Sequence, residues 1–213
     1  MVDHARTAGL IVLADGKRGD IAVSAAAYGQ ALVGATPTPF GEVPGLGVDA
    51  FTANPYLGVD TLEVMLGAAR SARAGIFVLV RTSNPGAADL EDLELAGGDP
   101  LWARVAAIVD RLGTAGAGAC GLHDVAAVVG ATVPEHVGRM RELMPRTIFL
   151  LPGIGAQGGR VEDVAPAFAP HRAAGLVTAS RSIATAHEQG SGSPAVAARA
   201  EAERLRAAAW ALG

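Results

Sequence analysis

Asp15, Lys17 and Asp20 stand close together near the start of the chain. On an extended strand positions 15 and 17 project to the same face, so a carboxylate and an ammonium can lie side by side. An ammonium held among carboxylates keeps its charge, and unlike a guanidinium it can lose and regain a proton. Lys17 is the single lysine among 17 basic residues, the rest being arginine. A coding bias toward arginine accounts for the others. A surface Asp–Lys pair followed by an aspartate helix cap would leave the same trace in sequence.

Two further segments carry polar groups suited to a ligand. Pro152-Gly153-Ile154-Gly155-Ala156-Gln157-Gly158-Gly159 has four glycines, which let backbone amides approach an anion, and Arg181 follows the next apolar run. Loops after the last strands of an α/β barrel often hold a phosphate, so this pairing predicts a phosphate site; two tight turns and a surface arginine are the alternative. Thr82-Ser83-Asn84-Pro85-Gly86 offers hydroxyl and amide groups for the edge of a planar heterocycle, although a Pro-Gly turn explains half of it. In Asn54-Pro55-Tyr56 the tyrosine reads as a packing residue. The five histidines lack metal-ligand spacing and read as surface or structural, and Cys120, in a glycine run, reads as packed rather than reactive. No metal site is expected.

These groups need elements to hold them. Apolar runs recur at Leu10 to Ala14, Val48 to Thr52, Gly75 to Val80, Val125 to Val129, Thr147 to Leu151 and Ala174 to Ala179. They show little polar alternation, as expected for parallel strands covered on both faces. Helices are predicted over Ser24 to Val33, Val59 to Ala72, Pro100 to Leu112, Pro134 to Met144 and Val161 to Phe168, with a last one from about Pro194 whose inner face carries Leu205, Ala208, Ala209 and Leu212. Thr36 to Gly47, with three prolines, and Gly113 to Gly121 read as loops. Strand alternating with helix means α/β, and polar clusters after nearly every strand favour a (β/α)8 TIM-barrel type over an open sheet with one switch point. About six βα units are visible where such a barrel has eight, so the expectation is one barrel domain over 1–213 with its first two units missing.

Composition narrows the function. Half of the 213 residues are apolar, 18% are charged, 28 are glycine and 12 proline, which disfavours disorder and coiled coil. A net charge of −4 leaves no basic footprint for nucleic acid or an anionic membrane. One cysteine excludes an internal disulfide and fits a reducing compartment, and the first apolar run is too short for a signal or a membrane span. A cytoplasmic protein with a small-molecule ligand is expected.

The combination of Asp15, Lys17, Asp20 and Ile21 with Thr82 to Gly86, Pro152 to Gly159 and Arg181-Ser182-Ile183 resembles the orotidine 5′-phosphate decarboxylase family, in particular its bacterial members with TSNPG and PGxGAQGG loops. The likeness runs from about Ala8 to the C-terminal helix. It implies a homodimer of (β/α)8 barrels with shared active sites, and cofactor-free conversion of orotidine 5′-phosphate to uridine 5′-phosphate and carbon dioxide. By position, Lys17 would protonate C6 of the pyrimidine, Asp15 would lie beside the scissile carboxylate, and Asp20 would reach the partner's site. Ser24 stands where the family usually has threonine; Ser83 would bond the pyrimidine, and Gln157 and Arg181 the phosphate. The family's ribose aspartate and an additional lysine of its charged array have no counterpart before Asp15. Two alternatives stay open: a 3-keto-gulonate 6-phosphate-type decarboxylase, which shares the Asp-x-Lys-x-x-Asp spacing, and a non-catalytic remnant that binds nucleotide or dimerises.

Overall fold

The computed structural model describes residues 1–189 and 192–213. In chain order the elements are α1 (Val2–Thr7), β1 (Leu13–Arg18), α2 (Ala22–Leu32), β2 (Ala35–Thr38), β3 (Gly41–Pro44), β4 (Ala50–Ala53), α3 (Val59–Ser71), β5 (Gly75–Arg81), α4 (Leu101–Gly113), β6 (Val125–Val129), α5 (Pro134–Leu143), β7 (Phe149–Leu151), β8 (Gly175–Val177), α6 (Ser180–Ala184) and α7 (Pro194–Trp210). Six strands share one sheet in the order β1-β4-β5-β6-β7-β8, and β2 with β3 forms a separate pair. The pairings β1/β4, β4/β5, β6/β7 and β7/β8 are parallel. This is the α/β arrangement, with parallel strand pairings, that the strand–helix rhythm predicts.

Two compact units divide the chain. The first comprises Met1–Leu79 and Arg111–Ala126. Its core is built on β4, every residue of which is buried, with Leu62, Met65, Leu66 and Ala69 of α3 presenting one apolar face. Helix α2 is rich in alanine and approaches α3 closely: a Cβ placed on Gly29 would come within 2.5 Å of the Ala68 Cβ. Arg70 of α3 clamps Asp124 through Nε at 2.7 Å and Nη2 at 3.0 Å, and also reaches the Leu112 carbonyl. Those bonds hold the Arg70 guanidinium above its ordinary pKa, the hydrogen bond to Asp124 contributing most.

The second unit comprises Val80–Asp110 and Ala127–Gly213. Val128, Phe149, Leu151, Val137, Met140 and Phe168 are among its buried residues. Arg141 lies among them, 8% exposed, with no carboxylate among its partners. Its guanidinium donates to the carbonyls of Met144, Thr147 and Ala167 at 2.7–2.8 Å and stacks 3.8 Å above the Phe149 ring. Five N–H donors in a planar fork are what lets one side chain close several orphaned carbonyls at once. Burial pushes its pKa down to about 10, which leaves it charged at neutral pH.

Several expectations are corrected. The first strand begins at Leu13 rather than Leu10, because the register starts where Leu13 faces Ala50, and Leu10 and Ile11 are exposed at 62% and 85%. The proline-bearing stretch from Thr36 holds an antiparallel pair, β2 and β3, whose prolines are tolerated because both strands are edges. Val161 to Phe168 forms a 3₁₀ segment, Glu162–Phe168, with Pro166 inside it and a non-helical Val164. Tyr56 does not pack: Asn54 Oδ1 takes its N–H and a tight turn follows, which leaves the ring 74% exposed. Cys120 is exposed on the turn closed by Gly121 N–H to Gly118 O. No helix among the described residues is long and apolar enough to cross a membrane.

Candidate active site

In the first unit, Asp15 and Lys17 meet on β1. Both Asp15 carboxylate oxygens lie 2.6 Å from Lys17 Nζ, and each side chain is about half exposed. An ion pair so exposed contributes little to stability, so its geometry is better explained by placement of the ammonium than by folding. The strand is irregular here: Ala14 faces Phe51 and Arg18 faces Ala53, so residues 15 to 17 oppose Thr52 alone. Lys17 takes a left-handed φ of 51°, unusual for a side chain on a strand. Thr52, fully buried, accepts the Lys17 backbone N–H at 2.7 Å and donates to Asp15 Oδ1 at 3.0 Å.

The next residues turn sharply away. A Cβ on Gly19 would stand 3.0 Å from the Asn54 carbonyl, so glycine is needed where the chain crosses the end of β4. Asp20 is half-buried and its carboxylate takes the N–H of Ile21 at 2.8 Å, so its bond is to its own turn rather than to Lys17. It is not the helix cap either, since Ile21 is the N-cap of α2 and no side chain caps that end. Ser24 is exposed in the first turn of α2.

In the second unit, β5 ends on Arg81, which is 6% exposed and grips Asp92 at 2.8 and 3.3 Å and the Thr82 carbonyl at 2.7 Å. The hydrogen bond from Arg81 holds the Asp92 carboxyl below its ordinary range, against the opposing effect of burial. Glu91 accepts the Thr82 N–H at 2.8 Å, and Thr82 Oγ1 donates to Asn84 at 2.7 Å. Thr132 Oγ1 donates to the Ser83 carbonyl at 3.1 Å. Ser83 is thereby held from both sides.

Ser83, Thr132 and Gln157 line a cleft of ≈ 440 Å³. A second cleft of ≈ 220 Å³ is lined by Gln157, Gly153, Ile154, Ser180 and Arg181. Gln157 borders both, so one amide side chain lies between the serine and the arginine. Gly153 makes the convergence possible, with a φ of 106° and a would-be Cβ only 3.0–3.2 Å from Thr132, Ser83 and Gln157. The loop closes on itself: Gly155 N–H bonds Gly159 O, Gly158 N–H bonds Gly155 O, and Gly159 N–H bonds Gly153 O. Those three amides are spent inside the turn. The expected glycine-amide cradle therefore narrows, and Gln157, Thr178, Ser180 and the exposed Arg181 are the polar side chains lining the second cleft.

Thr52, Thr132, Arg81, Glu91 and Asp92 were not legible as site residues. Thr52 carried a signal nonetheless, since a hydroxyl on an otherwise apolar, fully buried strand must find a partner. No group of three or more His, Cys, Asp or Glu among the described residues could hold a metal ion.

Comparison with known proteins bears on this arrangement. The sequence pattern of the "Orotidine 5'-phosphate decarboxylase / HUMPS family" matches residues 1–199. An orotidine 5′-phosphate decarboxylase of Rhodopirellula baltica is 43% identical over 192 residues, which are 89% of this chain and 61% of that protein. One from Deinococcus radiodurans is 43% identical over 205 residues, 96% of this chain and 70% of the relative. The chain thus spans between three-fifths and seven-tenths of the length of these two relatives. Among solved structures, Leishmania donovani OMP decarboxylase superposes with a TM-score of 0.70 at 30% identity, over 95% of this chain and 70% of that one.

Proposed function

Because the chain belongs to the orotidine 5′-phosphate decarboxylase / HUMPS family, we propose that it takes part in decarboxylation of orotidine 5′-phosphate to uridine 5′-phosphate and carbon dioxide, in pyrimidine biosynthesis. The observation that carries this reading is the lone lysine, held by both oxygens of Asp15 with its ammonium half exposed. When the bond from C6 to the carboxyl carbon breaks, its electron pair stays on C6, and the ring offers no sink for it. A fixed ammonium beside C6 stabilises that charge as it develops and then delivers the proton, after which Nζ regains one from water. Asp15 keeps the ammonium aimed, with both carboxylate oxygens 2.6 Å from Nζ. No cofactor enters the scheme.

The remaining roles follow by chemistry. Ser83 has the hydroxyl and backbone groups to bond a pyrimidine edge, and Arg181 with Gln157 suits a phosphate dianion, Arg by charge and Gln by an amide N–H. Binding energy gathered at the phosphate lowers the barrier when it orders the site around the base. Asp20, beside exposed Ile21 and Val23, would serve the site of a second copy, and Ser24 one turn further would accompany it. A homodimer in the cytoplasm with a small-molecule substrate completes the reading.

The test combines turnover and binding in the purified chain, with chelator present. Lys17→Ala should lose decarboxylation by many orders of magnitude and keep uridine 5′-phosphate binding, whereas Arg181→Ala should weaken the nucleotide and leave uridine binding nearly unchanged. Lys17→Ala activity within tenfold of the parent would overturn the assignment. Magnesium-dependent turnover of a keto-sugar phosphate would select the other branch of the family, and nucleotide binding without any turnover the non-catalytic reading.

A further inference from the structure

We propose that Thr52 is a positioning residue for the proton donor, fixing both the backbone and the counter-ion of Lys17 through one buried hydroxyl. The role in catalysis rests on the reading of Lys17 given above. The strand irregularity sets the geometry. Between the facing pairs Ala14/Phe51 and Arg18/Ala53, three residues of β1 oppose one residue of β4, so the ladder cannot supply a carbonyl to every N–H. The Lys17 N–H goes instead to Thr52 Oγ1 at 2.7 Å. A hydroxyl has a single hydrogen to donate, and that of Thr52 goes to Asp15 Oδ1 at 3.0 Å. The same Asp15 oxygen lies 2.6 Å from Lys17 Nζ. Backbone, hydroxyl, carboxylate and ammonium thus form a closed circuit that begins and ends on Lys17.

Burial and strain indicate that the circuit is specified. Thr52 is fully buried within an apolar strand, where a valine would pack equally well and a hydroxyl must be matched. Lys17 is one of three non-glycine residues at positive φ among the described residues, and such a conformation persists where neighbouring contacts over-determine it. The bond from Thr52 is such a contact. Without it, the bulge has no anchor at its centre and Asp15 is free to turn about its side-chain bonds.

The experiment replaces Thr52 by valine, of equal shape without the hydroxyl, and by serine, which restores it. Thr52→Val is expected to lower kcat about 10- to 100-fold with KM within about threefold, because displacement of a reacting group by as little as an ångström costs on that order. Thr52→Ser is expected to return to within about fivefold of the parent. A second readout is independent of turnover. Lys17 is the only lysine, so lysine-selective ¹⁵N labelling gives one backbone amide and one side-chain ammonium signal. In Thr52→Val the Lys17 amide should exchange with solvent at least tenfold faster than in the parent, while the amides of β4 in a uniformly labelled sample keep their protection. Thr52→Ala, measured the same way, serves if the valine variant fails to fold. Unchanged Lys17 exchange in both variants, or kcat within twofold of the parent, overturns the proposal. If the parent shows no decarboxylation while Lys17 exchange responds as expected, the anchoring stands and the decarboxylase reading falls.

Discussion

Ser83 is flanked by charged anchors on its own loop, and one of them gives that loop a pH dependence. The Asp92 carboxyl is held below its ordinary value of 3.8, chiefly by the hydrogen bond from Arg81, so the unfolded chain binds the proton more readily than the folded one. The pair's contribution to stability is therefore complete above that ordinary value and is lost as the pH falls through the lower folded one. Asp92→Asn should cost about 1–3 kcal/mol at neutral pH, since buried Arg81 is left without its full partner, and the gap between variant and parent should be smaller in acid, well below the ordinary carboxyl value. Thermal melts at the two pH values decide it; an equal gap at both would show that charge is not what Asp92 supplies. At this scale the sequence was readable where a residue stands out by type and silent where it acts through a fold contact. Lys17 is conspicuous as the sole lysine, and Ser83 and Gln157 stand in glycine- and proline-marked loops. Arg81 and Asp92 are eleven residues apart in a charged stretch, and nothing in their spacing tells which of the neighbouring acids the guanidinium will take.

The same difference holds between elements. Runs such as 75–80 and Val125–Val129 are apolar throughout, and parallel strands buried on both faces leave that mark. β1 defeats the rule because its site half is polar and half exposed, and the apolar run begins at Leu10, three residues before the strand does. The β2–β3 pair is invisible because proline normally argues against a strand, and only two edges make it acceptable. Glycine is equally ambiguous in sequence. Gly29 reads as a helix weakness, yet it is the point where α2 meets α3, with a would-be Cβ 2.5 Å from that of Ala68. Two effects compete on replacing it by alanine: a gain of about 1 kcal/mol in helix propensity and a cost of about 1–3 kcal/mol for an overpacked contact. The neighbouring atom is a short side chain on a packed helix and cannot swing aside, so the cost should win. Gly29→Ala is expected to lower stability in denaturant titration, and Gly29→Ala with Ala68→Gly to recover most of the loss. Stabilisation by the single change would mean that the two helices can separate freely.

At the scale of the whole molecule, the first unit leaves large apolar side chains in water. Phe40 at the β2–β3 turn is 99% exposed, Val23 83% and Ile21 59%. Single exposed apolar residues are ordinary, but a phenylalanine with its entire ring in solvent offers an anchor of the kind that dominates interfaces. The proposed dimer supplies the partner, and Asp20 beside Ile21 gives the association a chemical purpose, since each copy would lend a carboxylate to the other. Charge at Phe40 should then act twice. Phe40→Asp is expected to raise the dimer dissociation constant by at least tenfold in sedimentation equilibrium, and to make activity fall with dilution where the parent's does not. Because Phe40 lies on a two-stranded pair outside the main sheet, thermal stability measured well below the dissociation constant should change little. A variant that remains dimeric at the parent's affinity would remove the hairpin from the interface, and Asp20 would then need another route to the second site.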